Sequence, residues 1–321
     1  MRIFVTGGAG FIGSHLVRHL IATSSDQITV FDALTYSGSA ENLAGLPGDR
    51  VDLVVGDVAD RSAVQAALAG HDAVVHLAAE THVDRSLLGP DVFVRTNCDG
   101  TNVVCDVARE VGVSRFVHVS TDEVYGSIDH GSFSEEDRPR PRSPYSASKA
   151  SSDLIALSYW ETYGLPVVVT RSSNQFGPYQ FPEKLIPYFT TSLLLGLDVP
   201  LYGDGLHVRD WLDVRDNCAA LDLVLRQGAP GEIYNVGAGN ERPNRAVVGD
   251  LLELLGLDDA RIEHVADRPG HDRRYSIASG KVRALGWEPV HEFAGSLAET
   301  VQWYVDHRWW WEPRRRRVAN R

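Results

Sequence analysis

The sequence predicts an α/β fold: a doubly wound parallel sheet of the Rossmann type, followed by a smaller mixed α/β C-terminal lobe that binds substrate. Three observations carry that reading. A short apolar run at residues 2–6 opens the chain and breaks at once into Gly7-Gly8-Ala9-Gly10-Phe11-Ile12-Gly13. Short apolar runs then alternate with helical periodicity, the pattern of strand, crossover helix and parallel strand. Beyond residue 176 that rhythm weakens, and Pro and Gly become frequent. Residues 1–176 are therefore expected to form a nucleotide-binding domain and 177–321 the second lobe, with 208–240 returning to the first.

Composition narrows the function. The 321 residues are 43% hydrophobic, enough for one large domain or two intimate ones. A net charge of -12 argues against a nucleic-acid partner. The basic run at 314–317 reads as a solvated tail. Cys98, Cys105 and Cys218 cannot all pair and lack metal-ligand spacing, so no metal is expected and they read as small buried hydrophobes in a reducing compartment. The apolar start at 3–5 is too short for a signal peptide, and no run approaches the roughly 18 apolar residues of a membrane helix. The chain is expected to be soluble and cytoplasmic.

The elements follow in order. Gly7, Gly10 and Gly13 lie between a strand and the helical pattern of 14–23. There, glycines let the backbone approach a pyrophosphate, and the helix N-terminus offers free N–H groups. A second strand, 27–31, ends in Asp32, placed to bond the adenosine ribose hydroxyls or to serve as a turn residue. A carboxylate there repels a 2′-phosphate, which favours NAD over NADP. The third strand, 51–55, leads to Gly56-Asp57-Val58, where Asp57 either faces the adenine or caps the next helix. The fourth, 73–77, leads to the small Ala78 and Ala79 and to the polar loop Glu80-Thr81-His82-Val83-Asp84-Arg85-Ser86. His76 reads as a packed core histidine. Residues 96–111 have helical periodicity, with Cys98 and Cys105 on one face.

The fifth strand, 116–120, ends in Thr121-Asp122-Glu123. Ligands sit outside the carboxyl ends of parallel strands, and two adjacent carboxylates resist ionising together. That makes them a candidate acid and base. Successive strand residues face opposite ways, so both serve one site only if the strand has ended or bulged at Asp122. In isolation the pair also reads as a solvated loop. Next comes Ser143-Pro144-Tyr145-Ser146-Ala147-Ser148-Lys149, where Pro144 suits a helix start. Tyr145 and Lys149 share a helix face, and the lysine charge favours the phenolate, making Tyr145 a plausible base. A sixth strand, 167–170, is followed by Arg171-Ser172-Ser173-Asn174-Gln175-Phe176-Gly177-Pro178. Residues 208–216 and 232–236 are strand-like. Glu183, Lys184, Tyr202, Arg209, Asn244, Arg268, His271 and Tyr275 suit a sugar diphosphate, or else are scattered surface charge. Trp309-Trp310-Trp311 reads as core or interface packing.

Together these motifs resemble the extended short-chain dehydrogenase/reductase superfamily. Within it the chain is similar to the dTDP-glucose 4,6-dehydratases, particularly those serving deoxysugar pathways of actinomycete natural products. The most specific stretches are Ser120-Thr121-Asp122-Glu123-Val124-Tyr125-Gly126, Gly177-Pro178-Tyr179-Gln180-Phe181-Pro182-Glu183-Lys184-Leu185-Ile186-Pro187, Tyr202-Gly203-Asp204-Gly205 with Arg209-Asp210-Trp211, and Pro269-Gly270-His271-Asp272-Arg273-Arg274-Tyr275. One departure is Asn174-Gln175-Phe176-Gly177, where the family usually has Asn-Asn-Tyr-Gly. The resemblance implies NAD as cofactor and dTDP-glucose as substrate. Oxidation at C4, loss of water across C5 and C6, and hydride return to C6 give the 4-keto-6-deoxy sugar. It further implies that Tyr145 and Lys149 act at the 4-hydroxyl with Thr121. Glu123 takes the C5 proton, and Asp122, kept protonated by its neighbour's charge, donates to the leaving hydroxyl. Leu34, Thr35, Val58, Leu77, Thr96 and Gln175 join Gly7, Gly10, Phe11, Ile12, Gly13, Asp32, Asp57, Ala78 and Ala79 around the cofactor. Ser86, Asn174, Leu185 and Pro200 join the second-lobe residues around the substrate. A homodimer through a four-helix bundle of 96–111 and 146–163 is implied. A 4-epimerase or simple dehydrogenase would use the same cofactor but needs no acid–base pair; an NAD-sensing regulator needs no intact Thr-Tyr-Lys set.

Overall fold

The computed structural model describes residues 1–267 and 270–319; Arg268 lies outside them. The main sheet takes β1 (Arg2–Thr6), β2 (Gln27–Asp32), β3 (Val51–Val55), β4 (Ala73–His76), β5 (Arg115–Thr121) and β6 (Val167–Ser172). The chain then builds β7 (Asn174–Phe176), β8 (Val199–Tyr202) and β9 (Val208–Asp213), and returns as β10 (Ile233–Val236). The seven-stranded sheet runs β10-β6-β5-β4-β1-β2-β3 and is parallel throughout. Strand order reverses between β1 and β4, which opens a crevice at their carboxyl ends.

Alternation along the strands explains the two layers. Ile3, Val5, Val117, Val119 and Val168 face a core shared with Leu16, Val17 and Leu20 of α1 (Phe11–Thr23). Phe4, Val74, Phe116, Val167 and Val169 face the other core. That side is covered by α2 (Arg61–Leu68) and, after the short α3 (Val83–Leu88) and α4 (Asp91–Phe93), by α5 (Gly100–Val111) and α6 (Pro144–Tyr163). Cys105 is fully buried among these apolar side chains, while Cys98 is half-buried and bonds the Ser148 carbonyl at 3.6 Å.

The second lobe contains α7 (Leu185–Leu194), a small sheet of β7, β9 and β11 (Glu241–Pro243), and α9 (Asn244–Leu254); between them α8 (Val214–Gln227) returns to the large sheet. The chain also makes the pair β8 and β12 (Ile262–Val265), then α10 (Gly280–Ala284), whose Val282 packs on the core of the large sheet, and α11 (Phe293–Asp306) and α12 (Arg308–Ala319). Phe176, Phe189, Trp211, Leu251 and Phe293 share one core. The strand-like reading of 208–216 stops short at Asp213, whose carboxylate accepts the Arg215 N–H at 2.7 Å and caps α8. Of residues 208–240, α8 and β10 pack on the large sheet, whereas β9 pairs with β7 and β11. No helix among the described residues is long and apolar enough to cross a membrane.

Helix α6 begins as the Pro144 signal suggests, and more tightly. Ser143 accepts the Ser146 N–H at 3.1 Å, and Ser146 accepts the Ser143 N–H at 3.0 Å, a reciprocal capping box. Replacing Ser143 by Ala removes that cap. We expect a loss of about 1 kcal/mol, read as a lower urea midpoint at unchanged slope; an unchanged midpoint would show that the cap contributes nothing.

Candidate active site

The nucleotide half of the crevice is shaped by what a side chain would strike. A Cβ at Gly13 would lie 2.3 Å from the Gly7 carbonyl oxygen. One at Gly7, already left-handed at φ +68, would lie 2.7 Å from the Ala78 nitrogen. Gly10 stands at the N-cap of helix α1 and offers no side-chain cap, so the helix's first N–H groups remain for an anion. Asp32 Oδ2 accepts the Ala9 N–H at 3.0 Å and Oδ1 accepts the Leu34 N–H at 2.8 Å. Burial holds its carboxyl above the ordinary range. Gly7, Gly10, Phe11, Ile12, Gly13, Asp32, Thr35, Asp57, Val58, Leu77, Ala78, Ala79 and Thr96 line one continuous cleft. Leu34 does not line it: its side chain packs on the sheet core, and its backbone N–H orients Asp32. The cap reading of Asp57 is corrected too. Asp60 caps α2, accepting the Ser62 and Ala63 N–H groups, while Asp57 pairs with Arg95 at 2.6 Å.

The catalytic half is set by where β5 stops. Thr121 is its last residue, and Asp122–Tyr125 turn into a 3₁₀ helix. Thr121 Oγ1 accepts the Glu123 N–H at 3.2 Å and donates to Asp122 Oδ1 at 3.3 Å. The strand has thus ended at Asp122, and both carboxylates line the cleft with Tyr145 and Lys149. Asp122 is buried, and its Oδ2 has no hydrogen-bond partner among the described residues. Its carboxyl is held well above the ordinary range, first by burial and then by the charge of Glu123. Burial therefore outranks the neighbour that the sequence reading put first.

A second correction concerns Lys149. Its ammonium donates to the Val119 carbonyl at 2.8 Å, and burial pushes it down to about 8 against the pull of Asp153. The Tyr145 phenol is pushed well up, by burial first and then by the Glu123 charge, with a Thr121 hydrogen bond opposing. Burial and Glu123 are the larger influences on Tyr145, and the Lys149 ammonium gives its hydrogen bond to the strand carbonyl. Beneath them Asp153 accepts from Arg171 Nε at 2.9 Å and lies 3.3 Å from His118 Nε2. His76 bridges Thr6 and Thr101 at 2.7 and 3.0 Å, as a core histidine does.

Two residues here escape sequence reasoning. Asn97 lies in a π-helical turn, Val94–Asp99, ahead of α5. It accepts the Glu80 N–H at 2.9 Å and donates to the Glu80 carbonyl at 3.0 Å and to Ser148 Oγ at 2.8 Å. Nothing in its spacing announces a π turn. Asp153 was findable, since it follows Lys149 by one helical turn.

The substrate candidates divide into two groups. Asn174, Glu183, Lys184 and Leu185 line the same cleft, as does Gln175 of the cofactor set. Glu183 accepts the Tyr36 hydroxyl at 2.9 Å, and Lys184 Nζ donates to the Thr81 carbonyl at 2.7 Å, joining the lobes. Pro200, Tyr202, Arg209, Asn244, His271 and Tyr275 lie outside that wall. Arg209 stacks 4.0 Å over the Tyr275 ring and donates to the Asp272 carbonyl at 2.9 Å. The second group still feels the catalytic carboxylates: burial first and then the Glu123 charge push the Tyr275 phenol up, and Arg209 partly offsets the upward shift that burial and Glu123 impose on Asp122. His271 stacks on His207 at 3.7 Å, and each imidazole meets one oxygen of Asp267. Ser86 is a correction: its hydroxyl donates to the Val83 carbonyl at 2.6 Å within its own helix, away from the cleft.

Known proteins are similar to this chain in sequence and in fold. A family model described as GDP-mannose 4,6 dehydratase matches residues 4–300. The chain is 54% identical to the dTDP-glucose 4,6-dehydratase of Streptomyces antibioticus, over 99% of this chain and 97% of the relative. The crystal structure of the dTDP-glucose 4,6-dehydratase of Streptomyces venezuelae, with NAD bound, matches with a TM-score of 0.96 at 53% identity, covering 98% of this chain and 100% of that one. The UDP-glucose 4-epimerase of Thermus thermophilus, in complex with NAD, matches with a TM-score of 0.88 at 33% identity, covering 96% of this chain and 100% of that one.

The buried Asp122 has a consequence for stability. Below the ordinary carboxylate range it is protonated in both folded and unfolded chains. As pH rises, the unfolded chain releases that proton while the folded one retains it, so stability falls until the raised folded pKa is passed. Asp122→Asn does not titrate. Its Tm should exceed that of the unaltered protein at pH 8 by several degrees more than at pH 4.5; an equal difference at both would contradict the raised carboxyl.

Proposed function

The chain belongs to the dTDP-glucose 4,6-dehydratase family of the extended short-chain dehydrogenase/reductases, and we propose that it converts dTDP-glucose to dTDP-4-keto-6-deoxyglucose with NAD as resident cofactor. One observation carries the choice of dehydration over epimerisation. A buried carboxyl that resists ionising, Asp122, stands beside Glu123 at the same strand end as Tyr145 and Lys149.

The residues present fit NAD: a glycine cradle that a Cβ would fill, an uncapped helix start and a buried ribose-side carboxylate. When bound, NAD would supply the acceptor for the hydride that leaves C4 and the donor of that hydride to C6, and, in its oxidised form, a positively charged ring that favours a nearby phenolate. Gly7, Gly10 and Gly13 then admit the pyrophosphate, and Asp32 takes the ribose. Tyr145 removes the proton of the 4-hydroxyl, which Thr121 holds by hydrogen bond. A ketone at C4 acidifies the C5 proton, and Glu123 removes it. Asp122, whose site disfavours charge, gives its proton to the departing 6-hydroxyl as water leaves, and Glu123 returns the proton it took to C5 when C6 is reduced. Asn174, Glu183, Lys184 and Leu185 hold the sugar nucleotide from the second lobe, with Arg209 and Tyr275 closing the catalytic end and Pro200, Tyr202, Asn244 and His271 beyond them. Nucleotide sugars and NAD are cytoplasmic metabolites, and this reading puts the chain there. Its likeness to Streptomyces relatives supports a role in deoxysugar supply for natural products.

We place a homodimer contact on α5 and α6. Its support is the apolar surface there: Leu154 on α6 is 63% exposed, Val94 at the entry to α5 is 52% exposed, and Tyr163 at the end of α6 is 59% exposed. Sizing should give twice the 35.3 kDa chain mass, and Leu154→Asp should shift it to the monomer. A monomeric unaltered protein would refute the contact.

The direct test is to incubate the purified protein with dTDP-glucose, without added NAD, and follow the product by mass. Loss of one water is expected; an unchanged mass with a new stereoisomer would establish an epimerase instead. Asp122→Asn and Glu123→Gln should each lower kcat by about 10²–10⁴-fold with bound NAD retained. Product formation at the unaltered rate in both would overturn the acid–base assignment.

A further inference from the structure

We propose that the C-terminal helix α12 is a positioning element for the pyrophosphate loop, acting through a relay from Trp310 to Asn42 to Ala9, and that this relay slows NAD release. The inference rests on the reading that this loop holds NAD. It starts from the tryptophan run, which the catalytic site does not use.

Trp310 and Trp311 are both fully buried, whereas Trp309 is exposed. Packing alone would account for a buried ring, but Trp310 also has a directed partner in the other lobe. Its indole N–H donates to Asn42 Oδ1 at 2.9 Å. Asn42, fully buried, donates from Nδ2 to the Ala9 carbonyl at 2.8 Å. Its own backbone is held as well: its N–H donates to the Ser39 carbonyl at 3.0 Å, and its carbonyl accepts from Arg18 of α1 at 2.7 Å. Every polar group of Asn42 thus has a partner, which fixes the side chain in one orientation.

Ala9 sits in the middle of the glycine loop, and its peptide groups are gripped from two sides. Its N–H goes to Asp32 at 3.0 Å, and its carbonyl accepts from both Ser39 N–H at 3.0 Å and Asn42. The loop around it contains Gly7, Gly8, Gly10 and Gly13, residues of high intrinsic freedom. Without those hydrogen bonds the loop would have to be ordered by the ligand itself, at a cost in affinity. Arg314 provides a parallel fastening. Its guanidinium lies 4.3 Å from the Trp310 ring centroid and donates to Ser39 Oγ at 3.0 Å and Glu41 Oε2 at 2.6 Å. The arginine run thus contributes at least one ordered contact to the turn that carries Asn42.

The test compares the full-length protein with Trp310→Phe, Asn42→Ala, the double variant and Arg314→Ala. Phe keeps an aromatic ring against Tyr179 and Trp303 and removes the N–H together with part of the ring volume. The readouts are NAD released per protein after heat extraction, the rate of NAD loss on dilution into a chase, and Tm at saturating NAD. We expect Trp310→Phe to release NAD about two- to tenfold faster, the range for one neutral buried hydrogen bond, with Tm at saturating NAD lowered by the lost ring volume. The double variant should be no faster than Asn42→Ala, because both act on one relay. Arg314→Ala, at a partly exposed position, gives the same direction if the core variants fold poorly. Release unchanged in Trp310→Phe and Arg314→Ala, or additive effects in the double variant, would overturn the relay. An unaltered protein that neither carries nor binds NAD would overturn the cofactor reading itself, and the proposal with it.

Discussion

A buried ammonium organises this molecule. Lys149 lies inside the protein, where an unpaired charge is worth several kcal/mol of penalty. Two groups relieve it: the Val119 carbonyl, at the end of β5, and Asp153, one turn further along α6. Asp153 is in turn shared with Arg171 of β6 and His118 of β5. Helix α6 is thereby pinned to two adjacent strands at the edge where the crevice opens. Tyr145 and the turn after Thr121 meet because that pin leaves α6 one position on the sheet. Asn97 adds a second fastening through Ser148, between Tyr145 and Lys149 on the helix.

The same burial divides two chemically equal carboxylates. Asp122 faces inward, with one oxygen unpartnered, and Glu123 is the next residue of a 3₁₀ turn rather than of a strand. In a strand they would point to opposite faces, one into the core and one into the cleft. The turn removes that constraint, and unequal burial then separates an acid from a base. Thr121 makes the transition possible by capping the turn with its own hydroxyl. One hydroxyl side chain thus both ends the strand and faces the reacting end of the cleft.

What could be read from the sequence is what rests on local spacing. The glycine loop, Asp32, the Tyr145–Lys149 pair and the sheet edge are all set within a few residues or one strand–helix unit, where steric and hydrogen-bond rules act directly. The limits of β9 were harder, because Asp213 belongs at once to a strand end and a helix cap. Asn97 could not be read, since its role depends on a π turn that brings a helix side chain to the backbone of Glu80. The second-lobe candidates were recognisable as a set of polar types but not as two groups. Their partition depends on which partners hold them: Arg209 by Asp272 and Tyr275, Lys184 by Thr81. Such contacts join residues far apart in the chain and leave no periodic trace. Lys149 shows a further limit. Its position relative to Tyr145 is plain, but its hydrogen bond to Val119 is a long-range contact.

Strand β6 is buried along its whole length, and its outer edge is covered by β10. Between them the chain makes β7, α7, β8, β9 and α8. On the ribosome, Val167-Val168-Val169 therefore emerges long before the strand that closes its edge. Until residues 233–236 follow, the growing protein presents an unpaired, β-branched ribbon, the kind of surface that pairs with other chains. The vulnerable period in the life of this protein is thus its synthesis, and protection of one half-made sheet is what a chaperone would have to provide.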